Sequence, residues 1–333
     1  MFQSRIPRVF LLSLAVTSLV GSPVAADSLV LSPGVLVDTQ TQSAFVMAPG
    51  GQVKAIDINS GTARWSSDAA SVPLHLHRGQ LYAGGEGAEA ADHLEVLRLD
   101  PRSGELKAST RVALPQTVHT KVDQALGKAF ECATDVEDGQ LVLSWRAYIS
   151  DIRGVGPTFD PAALINPRAQ KVQAGTVERL GGEVVLDEKS GQWRELGAEK
   201  SKQLQRQRAK ESATGLYLSG DERLAGVNGH QYLSVDGRHV LSSELTGRGL
   251  SWLWHVYERE SGKLLASFER DSARESFLVR GQNLLVVTGA GGERRADGSV
   301  GFRGPQLMSI GFDGSTRYQV ELRDNAYRGP HPH

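Results

Sequence analysis

The chain has 333 residues, a formal net charge of −1, 40% hydrophobic residues and 37 glycines. The balanced charge gives no signal for binding nucleic acid, and no stretch after the N-terminus is long and apolar enough to predict a transmembrane helix. Many glycines with an ordinary hydrophobic content are typical of short strands joined by turns. We therefore expect an all-β protein that forms one domain.

The first 26 residues predict a secretory signal peptide. Arg5 and Arg8 give a positive start, and Val9 to Val20 form an apolar segment that is too short for an ordinary membrane anchor. Small residues lead to a cleavage site after Ala26, and no cysteine follows the apolar segment to accept a lipid. We expect a soluble protein over residues 27–333 that is periplasmic or secreted.

The stretch Gly51 to Trp65 has the pattern of a strand, a tight turn and a second strand. Asp57 opens the turn, where its side chain can accept hydrogen bonds from the downstream backbone, and Gly61 closes it in the left-handed conformation. Valine, isoleucine, threonine and tryptophan on both sides suit strands. The unit recurs at Asp100–Gly104, Asp187–Gly191 and Glu258–Gly262, and in shortened form at Asp313–Gly314.

The spacing of these turns predicts how the units are arranged. Asp57 and Asp100 lie 43 residues apart, which is about the length of a four-stranded propeller blade. The 87 residues from Asp100 to Asp187 fit two blades or one blade with a long insertion, and the 71 residues to Glu258 must hold extra chain. Because one hairpin cannot bury its apolar surface alone, we expect the units to stack around an axis. The predicted fold is a single β-propeller of about six to seven four-stranded blades with a short helical insertion.

Strand patterns occupy most of the chain. They cover residues 34–66, 72–112, 116–150, 172–196, 228–270 and 275–322. Gly154 to Pro167 is rich in glycine and proline and predicts a long loop, and residues 289–304 predict a glycine-rich, charged loop. Residues 324–333 form a tail that contains proline and histidine.

One segment, residues 197–213, breaks the strand pattern. Glu199 to Glu211 contains strong helix formers without glycine or proline, and Leu204 is its only strongly apolar residue, so we expect a surface helix. Two interpretations of its basic side chains remain open: a solvated surface, or a docking patch for an anionic partner. The candidate partner-binding residues are Lys202, Arg206, Arg208 and Lys210.

The repeat pattern also resembles a known family. Val53 to Trp65 follows the phrase apolar-x-Ala-x-Asp-x-x-Ser/Thr-Gly with a tryptophan after it, and is similar to the repeats of pyrroloquinoline-quinone-like (PQQ-like) propellers. The resemblance extends over most of residues 34–322. It implies a propeller fold, and the family includes both quinone-dependent dehydrogenases and binding scaffolds without a cofactor.

The sequence favours the scaffold. Many quinone-dependent alcohol dehydrogenases have a pair of adjacent cysteines under the cofactor, whereas Cys132 is the only cysteine here. Asp57 and Asn59 are explained by the turn, so no calcium-ligand set is evident. We predict no catalytic, cofactor or metal residues and no cofactor. The expected function is an exported, non-catalytic, monomeric propeller that binds a protein or envelope component, and the alternative is a PQQ-dependent oxidoreductase.

One cysteine, two histidines and two tryptophans are expected to have structural roles. Cys132 is expected to be a buried small residue, with a reactive or intermolecular thiol as the alternative. His75 and His77 share a strand face and could bind a metal, although no third ligand is evident. Trp65 and Trp193, each placed after a repeat turn, are expected to pack neighbouring blades against each other.

Overall fold

The computed structural model describes the strands and most of the turns between them. The described residues are 29–32, 34–85, 93–114, 127–150, 177–197, 199–204, 217–246, 251–270, 276–289, 291–294 and 299–323. The predicted signal peptide, the predicted loop from Gly154 to Pro167 and the tail at 324–333 lie outside these residues.

Within this part of the chain the strands form five antiparallel sheets, A to E, each of which follows the order of the sequence. Sheet A contains β1 (Leu29–Ser32), β2 (Val35–Asp38), β3 (Ser43–Met47), β4 (Val53–Asp57) and β5 (Ala63–Ser67). Sheet B contains β6 (Ala70–His77), β7 (Gln80–Gly85), β8 (His93–Leu99) and β9 (Leu106–Ala113). Sheet C contains β10 (Gly127–Glu137), β11 (Gln140–Ser150), β12 (Val177–Asp187) and β13 (Gln192–Glu195).

The two remaining sheets lie in the C-terminal part of the chain. Sheet D contains β14 (His230–Leu233), β15 (His239–Leu245), β16 (Trp252–Glu258) and β17 (Leu264–Arg270). Sheet E contains β18 (Ser276–Arg280), β19 (Asn283–Thr288), β22 (Gln306–Gly311) and β23 (Thr316–Glu321). A separate two-stranded ladder of β20 (Gly291–Arg294) and β21 (Val300–Arg303) is inserted between β19 and β22.

Hydrophobic clusters lie between neighbouring sheets and fix their order. Trp254 and Phe277 belong to the cluster between sheets D and E, and Leu31 belongs to the one between E and A. Phe45 belongs to the cluster between A and B, and Trp145 to the one between B and C. The sheets therefore stack face to face in the order D, E, A, B, C, as blades do in a propeller. The outer strands β5, β9, β13 and β23 are largely exposed.

The predicted all-β propeller with four-stranded blades is confirmed. The count of about six to seven blades is not confirmed, since the described residues form five sheets of four or five strands besides the two-stranded ladder. Between the end of β9 and Asp187 the chain contributes to one described sheet, sheet C, because β11 pairs with β12 across residues 151–176. Residues 116–150 and 172–196 thus contribute to one blade with a long insertion.

Two segments differ in detail from their sequence-based expectation. The predicted loop at residues 289–304 contains the β20–β21 ladder, whose glycines and charged residues pair from Gly291↔Arg303 to Arg294↔Val300. In the insertion, residues 199–204 are helical, as predicted. Leu204 is buried there against Val142 and Val185 of sheet C, so one apolar side chain anchors an otherwise polar helix. Among the described helices, none has the length and apolar character needed to cross a membrane.

Candidate binding cleft between sheets B and C

The repeat turns share one geometry. In four of them the glycine donates its N–H to the carbonyl of the turn acid, at 2.8 Å for Gly61 and Gly104, 2.7 Å for Gly191 and 2.9 Å for Gly262. In the shorter turn of sheet E, Gly314 donates to the Gly311 carbonyl instead. The φ angles of Gly61, Gly104 and Gly191 are 74°, 72° and 70°, in the left-handed region that glycine adopts without a steric penalty. Because the turns match, the residues around them can be compared position by position.

The carboxylates of these turns accept hydrogen bonds from the backbone that follows them. Asp57 Oδ1 accepts from the N–H groups of Asn59 and Ser60, at 2.9 and 3.1 Å. The Arg64 guanidinium contacts the other oxygen of Asp57 at 2.5 Å, and this pair, with the backbone donors, lowers the pKa of Asp57 to about 2. The turn is therefore fixed by its own residues.

At two sheet junctions an aromatic ring covers the turn glycine of the next sheet. Trp65 of sheet A packs over Gly104 of sheet B, and its indole N–H donates to the Pro101 carbonyl at 2.9 Å. Tyr318 of sheet E packs over Gly61 of sheet A in the same way, and its hydroxyl donates to the Ile58 carbonyl at 2.7 Å. Pro101 and Ile58 each follow the turn acid directly, so both rings use the same turn position.

A third junction has a related contact without the hydrogen bond. Phe268 of β17 lies against Gly314 in the turn of sheet E, where a Cβ atom would stand 2.8 Å from the Phe268 Cβ. Burial of the Tyr318 ring raises the pKa of its hydroxyl, which therefore stays a neutral donor. Aromatic rings on turn glycines thus close the D–E, E–A and A–B junctions.

The junction between sheets B and C lacks this ring. Trp65 is paired with Ala55 across its ladder, and Ala108 is paired with Arg98 at the corresponding position of sheet B. Around the facing turn glycine, Gly191, a Cβ atom would meet nothing within 4 Å. A cleft of about 460 Å³ lies here, lined by Ala108, Gly191 and side chains of both sheets.

The polar lining of the cleft comes from the β6–β7 turn, β8 and the β12–β13 turn. His77 Nε2 lies 3.0 Å from Glu188 Oε1, and the Arg78 guanidinium pairs with the other oxygen of Glu188. Arg78 also donates to the Gly139 carbonyl at 3.4 Å. These contacts hold one wall of the cleft and tie sheet B to the turn of sheet C.

The floor of the cleft contains Tyr82 and Arg98. Burial raises the pKa of the Tyr82 hydroxyl, and the nearby Arg98 guanidinium opposes that shift. The Arg98 Nε is buried and has no hydrogen-bond partner among the described residues. With Lys189 at the rim, the cleft has three cationic side chains and one carboxylate, so it is suited to an anionic group.

A tryptophan from the opposite side closes the adjoining part of this junction. Trp193 of β13 packs against the cluster between sheets B and C, and its indole N–H donates to Thr110 Oγ1 at 3.0 Å. The prediction that Trp65 and Trp193 pack neighbouring blades is therefore confirmed. Trp193 is paired with Leu186, which belongs to the cluster between sheets B and C, so its ring faces back toward sheet B. Trp65 is paired with Ala55, which belongs to the cluster between sheets A and B, so its ring faces forward from sheet A.

Comparisons with known proteins give only weak similarities to solved structures. No protein-family model and no curated protein matches the chain. Among solved structures, BamB from Moraxella catarrhalis is similar, with 14% identity, coverage of 80% of this chain and 77% of that chain, and a TM-score of 0.22. The Dos1 propeller has 9% identity, coverage of 84% and 55%, and a TM-score of 0.25.

A quinohemoprotein alcohol dehydrogenase, ADHIIG from Pseudomonas putida HK5, is similar at the same level. Its identity is 10%, the coverage is 84% of this chain and 57% of that chain, and the TM-score is 0.22. The assignment of the propeller fold rests on the sheets and the clusters between them, and the PQQ-like repeat label stays a prediction.

The sequence-predicted basic patch lies elsewhere on the chain. Lys202 is exposed on the helix over residues 199–204, with its Nζ 3.4 Å from Glu199 Oε1. Arg206, Arg208 and Lys210 lie outside the described residues. The prediction that these four residues bind a partner therefore stays a prediction, and Lys202 does not line the cleft.

Two other expectations concern single residues. Cys132 is partly buried and packs against the cluster between sheets B and C, where burial raises the pKa of its thiol to about 12. The ring centroids of His75 and His77 are 6.5 Å apart. Within the described ranges no group of three or more histidine, cysteine or acidic residues is placed to hold a metal ion.

Proposed function

We propose that the protein is an exported, non-catalytic propeller that binds a protein of the envelope or the extracellular space, and that the B–C cleft receives this partner. The observation that supports the proposal is the open junction at Ala108 and Gly191, at a position that Trp65 fills between sheets A and B. Concave clefts with a few converging polar groups are common binding sites.

The walls of the cleft favour recognition by preformed contacts. The Glu188 carboxylate joins His77 and Arg78, so the turn of sheet C is held at a fixed distance from sheet B. The floor offers polar groups of the buried Tyr82 and the half-buried Arg98. A partner that brings acceptors to these groups binds without first ordering them, which lowers the entropic cost of binding.

The location and assembly of the protein belong to the same proposal. The signal peptide over residues 1–26 sends the chain to the periplasm or the medium, where it acts as a monomer. The basic insertion with Lys202, Arg206, Arg208 and Lys210 supplies a second, electrostatic contact to an anionic partner. Replacing the last three with glutamine weakens capture of the partner without lowering the melting temperature.

Site-specific crosslinking in the host tests the proposal. A photo-crosslinking amino acid replaces Gln80, which lines the cleft, and in a matched protein it replaces Leu264, which is 49% exposed on β17 of sheet D. We expect a discrete protein adduct from position 80 alone, and its loss when Ala108→Trp fills the cleft. Equal adducts from both positions, or an adduct that persists in Ala108→Trp, would contradict the proposal.

Titration with PQQ and Ca²⁺ tests the oxidoreductase alternative. Tight, saturable binding followed by reduction of a dye with an alcohol or a sugar would replace the scaffold proposal by a quinone-dependent enzyme.

A further inference from the structure

We infer that the B–C cleft receives an aromatic side chain of the partner with a carboxylate beside it, the ring occupying the place that Trp65 takes between sheets A and B. The inference rests on the proposed function and specifies its ligand. Three observations support it: the repeated ring contact, the presence of Ala108 and Arg98 where other sheets have a ring and a small residue, and the open turn of sheet C.

The first step is that the molecule contains two examples of the contact. Trp65 and Tyr318 each cover a turn glycine and donate one hydrogen bond to the carbonyl after the turn acid. In the turn of sheet C that carbonyl belongs to Glu188, and no donor of the described residues reaches it. A tryptophan or tyrosine of the partner can make the missing bond.

The second step is space. Ala108 is half-buried at the position of the ring-bearing residue, and Gly191 is open above it. The cleft of about 460 Å³ lies in the range of about 300–1,000 Å³ that is typical of small-molecule sites. It has room for a ring and a neighbouring polar group.

The third step is charge. The residues paired with Trp65 and Tyr318 are small, Ala55 and Ser309, whereas the residue paired with Ala108 is Arg98. The planar guanidinium of arginine stacks on aromatic rings and binds carboxylates through two parallel hydrogen bonds. Arg98 lines the cleft beside Ala108, so a carboxylate next to the ring can pair with the positive charge of its guanidinium.

Short peptides test this ligand on the purified, exported protein. The probe is acetyl-Glu-Trp-Glu-amide, and the two controls are acetyl-Gln-Trp-Gln-amide and acetyl-Glu-Ala-Glu-amide. We expect saturable binding of the probe at a Kd on the order of 1 mM or below, and weakening by about tenfold or more for each control. Calorimetric titration measures all three.

Two variants locate the binding. Ala108→Trp fills the cleft with the ring found at the A–B junction, and Ala63→Trp adds the same side chain at an exposed position of β5. We expect loss of probe binding in Ala108→Trp and unchanged binding in Ala63→Trp. Ala108→Glu is the second cleft variant in case the tryptophan does not fold: its carboxylate pairs with Arg98 and repels the acidic probe.

Each other outcome overturns a stated part of the inference. If the glutamine peptide binds as well as the probe, the partner's carboxylate is not recognised. If the alanine peptide binds as well, the ring is not recognised. If Ala108→Glu binds the probe at full strength, the cleft is not the binding site. If no peptide binds but the Gln80 adduct is still abolished by Ala108→Trp, the ligand is wrong while the proposed function holds.

Discussion

Two alanine substitutions separate the ring contact from the backbone geometry of the turn. Gly104 and Gly191 have φ angles of 72° and 70° and the same hydrogen bond to the turn acid. A Cβ atom at Gly104 would stand 2.6 Å from Trp65 Cε3, whereas at Gly191 it would meet nothing within 4 Å. Gly104→Ala therefore combines backbone strain with steric overlap, and Gly191→Ala has backbone strain alone.

The magnitudes follow from these two effects. An L-residue in the left-handed region costs about 1–2 kcal/mol, and alanine recovers about 0.4–1 kcal/mol by restricting the unfolded chain. We expect Gly191→Ala to lower the free energy of unfolding by about 1 kcal/mol. Carbon atoms prefer separations of about 3.5–4.0 Å, so the Trp65 ring must move, and overpacking of this kind costs a further ~1–3 kcal/mol.

Urea unfolding followed by far-ultraviolet circular dichroism measures both variants against the wild-type protein. The expected result is a midpoint that falls clearly further for Gly104→Ala than for Gly191→Ala, with the same dependence on urea concentration. Equal losses of stability, or a larger loss for Gly191→Ala, would refute the interpretation that Trp65 closes the A–B junction while the B–C junction is open.

Three further predictions use the same part of the molecule. Tyr318→Phe removes the hydrogen bond to Ile58 and should lower the free energy of unfolding by about 1 kcal/mol in urea; no change would mean that the bond contributes nothing. The pKa of Asp57 is lowered to about 2, so its stabilisation is present above its unfolded pKa near 3.8 and is lost as the pH falls toward 2; Asp57→Asn should lack this loss in acid titrations, and identical acid transitions would contradict it. Because burial raises the pKa of the Cys132 thiol, a thiol reagent at pH 8 should label the native protein more slowly than the protein in denaturant, and equal rates would contradict this.

The turns could be predicted from the sequence because their chemistry is local. Asp57 and Gly61 specify one turn through their own backbone and side-chain bonds, and Asp187 and Gly191 do the same in sheet C. The pairing of β11 with β12 could not be predicted, since residues 151–176 separate the two strands. Pairing across such a distance depends on packing against the rest of the sheet, and local propensity does not encode it.

The candidate cleft was missed because its residues are far apart in the sequence. His77 and Glu188 are 111 residues apart, and neither belongs to a catalytic or metal-binding motif. The basic residues near Lys202 can be recognised in the sequence because they lie close together in one short segment. One partial signal was present: the residue four places after the turn glycine is Trp65 in sheet A and Tyr318 in sheet E, but alanine in sheets B and D (Ala108 and Ala266). In sheet D an aromatic residue, Phe268, follows two places later, and sheet B has Thr110 there.

The pair of Ala108 and Arg98 at the B–C junction is not explained by a gap in the packing alone. Where an aromatic ring fills the junction, the residue paired with it across the ladder is small, as with Ala55 and Ser309. Arg98 stands opposite Ala108 instead, and its buried Nε lacks a partner among the described residues. A partly buried positive charge is costly without a negative partner, and the guanidinium of Arg98 lines the cleft, so an anionic ligand there offsets part of this cost. The open space at Ala108 and the positive charge of Arg98 therefore belong to one feature, a junction that can receive an anionic ligand.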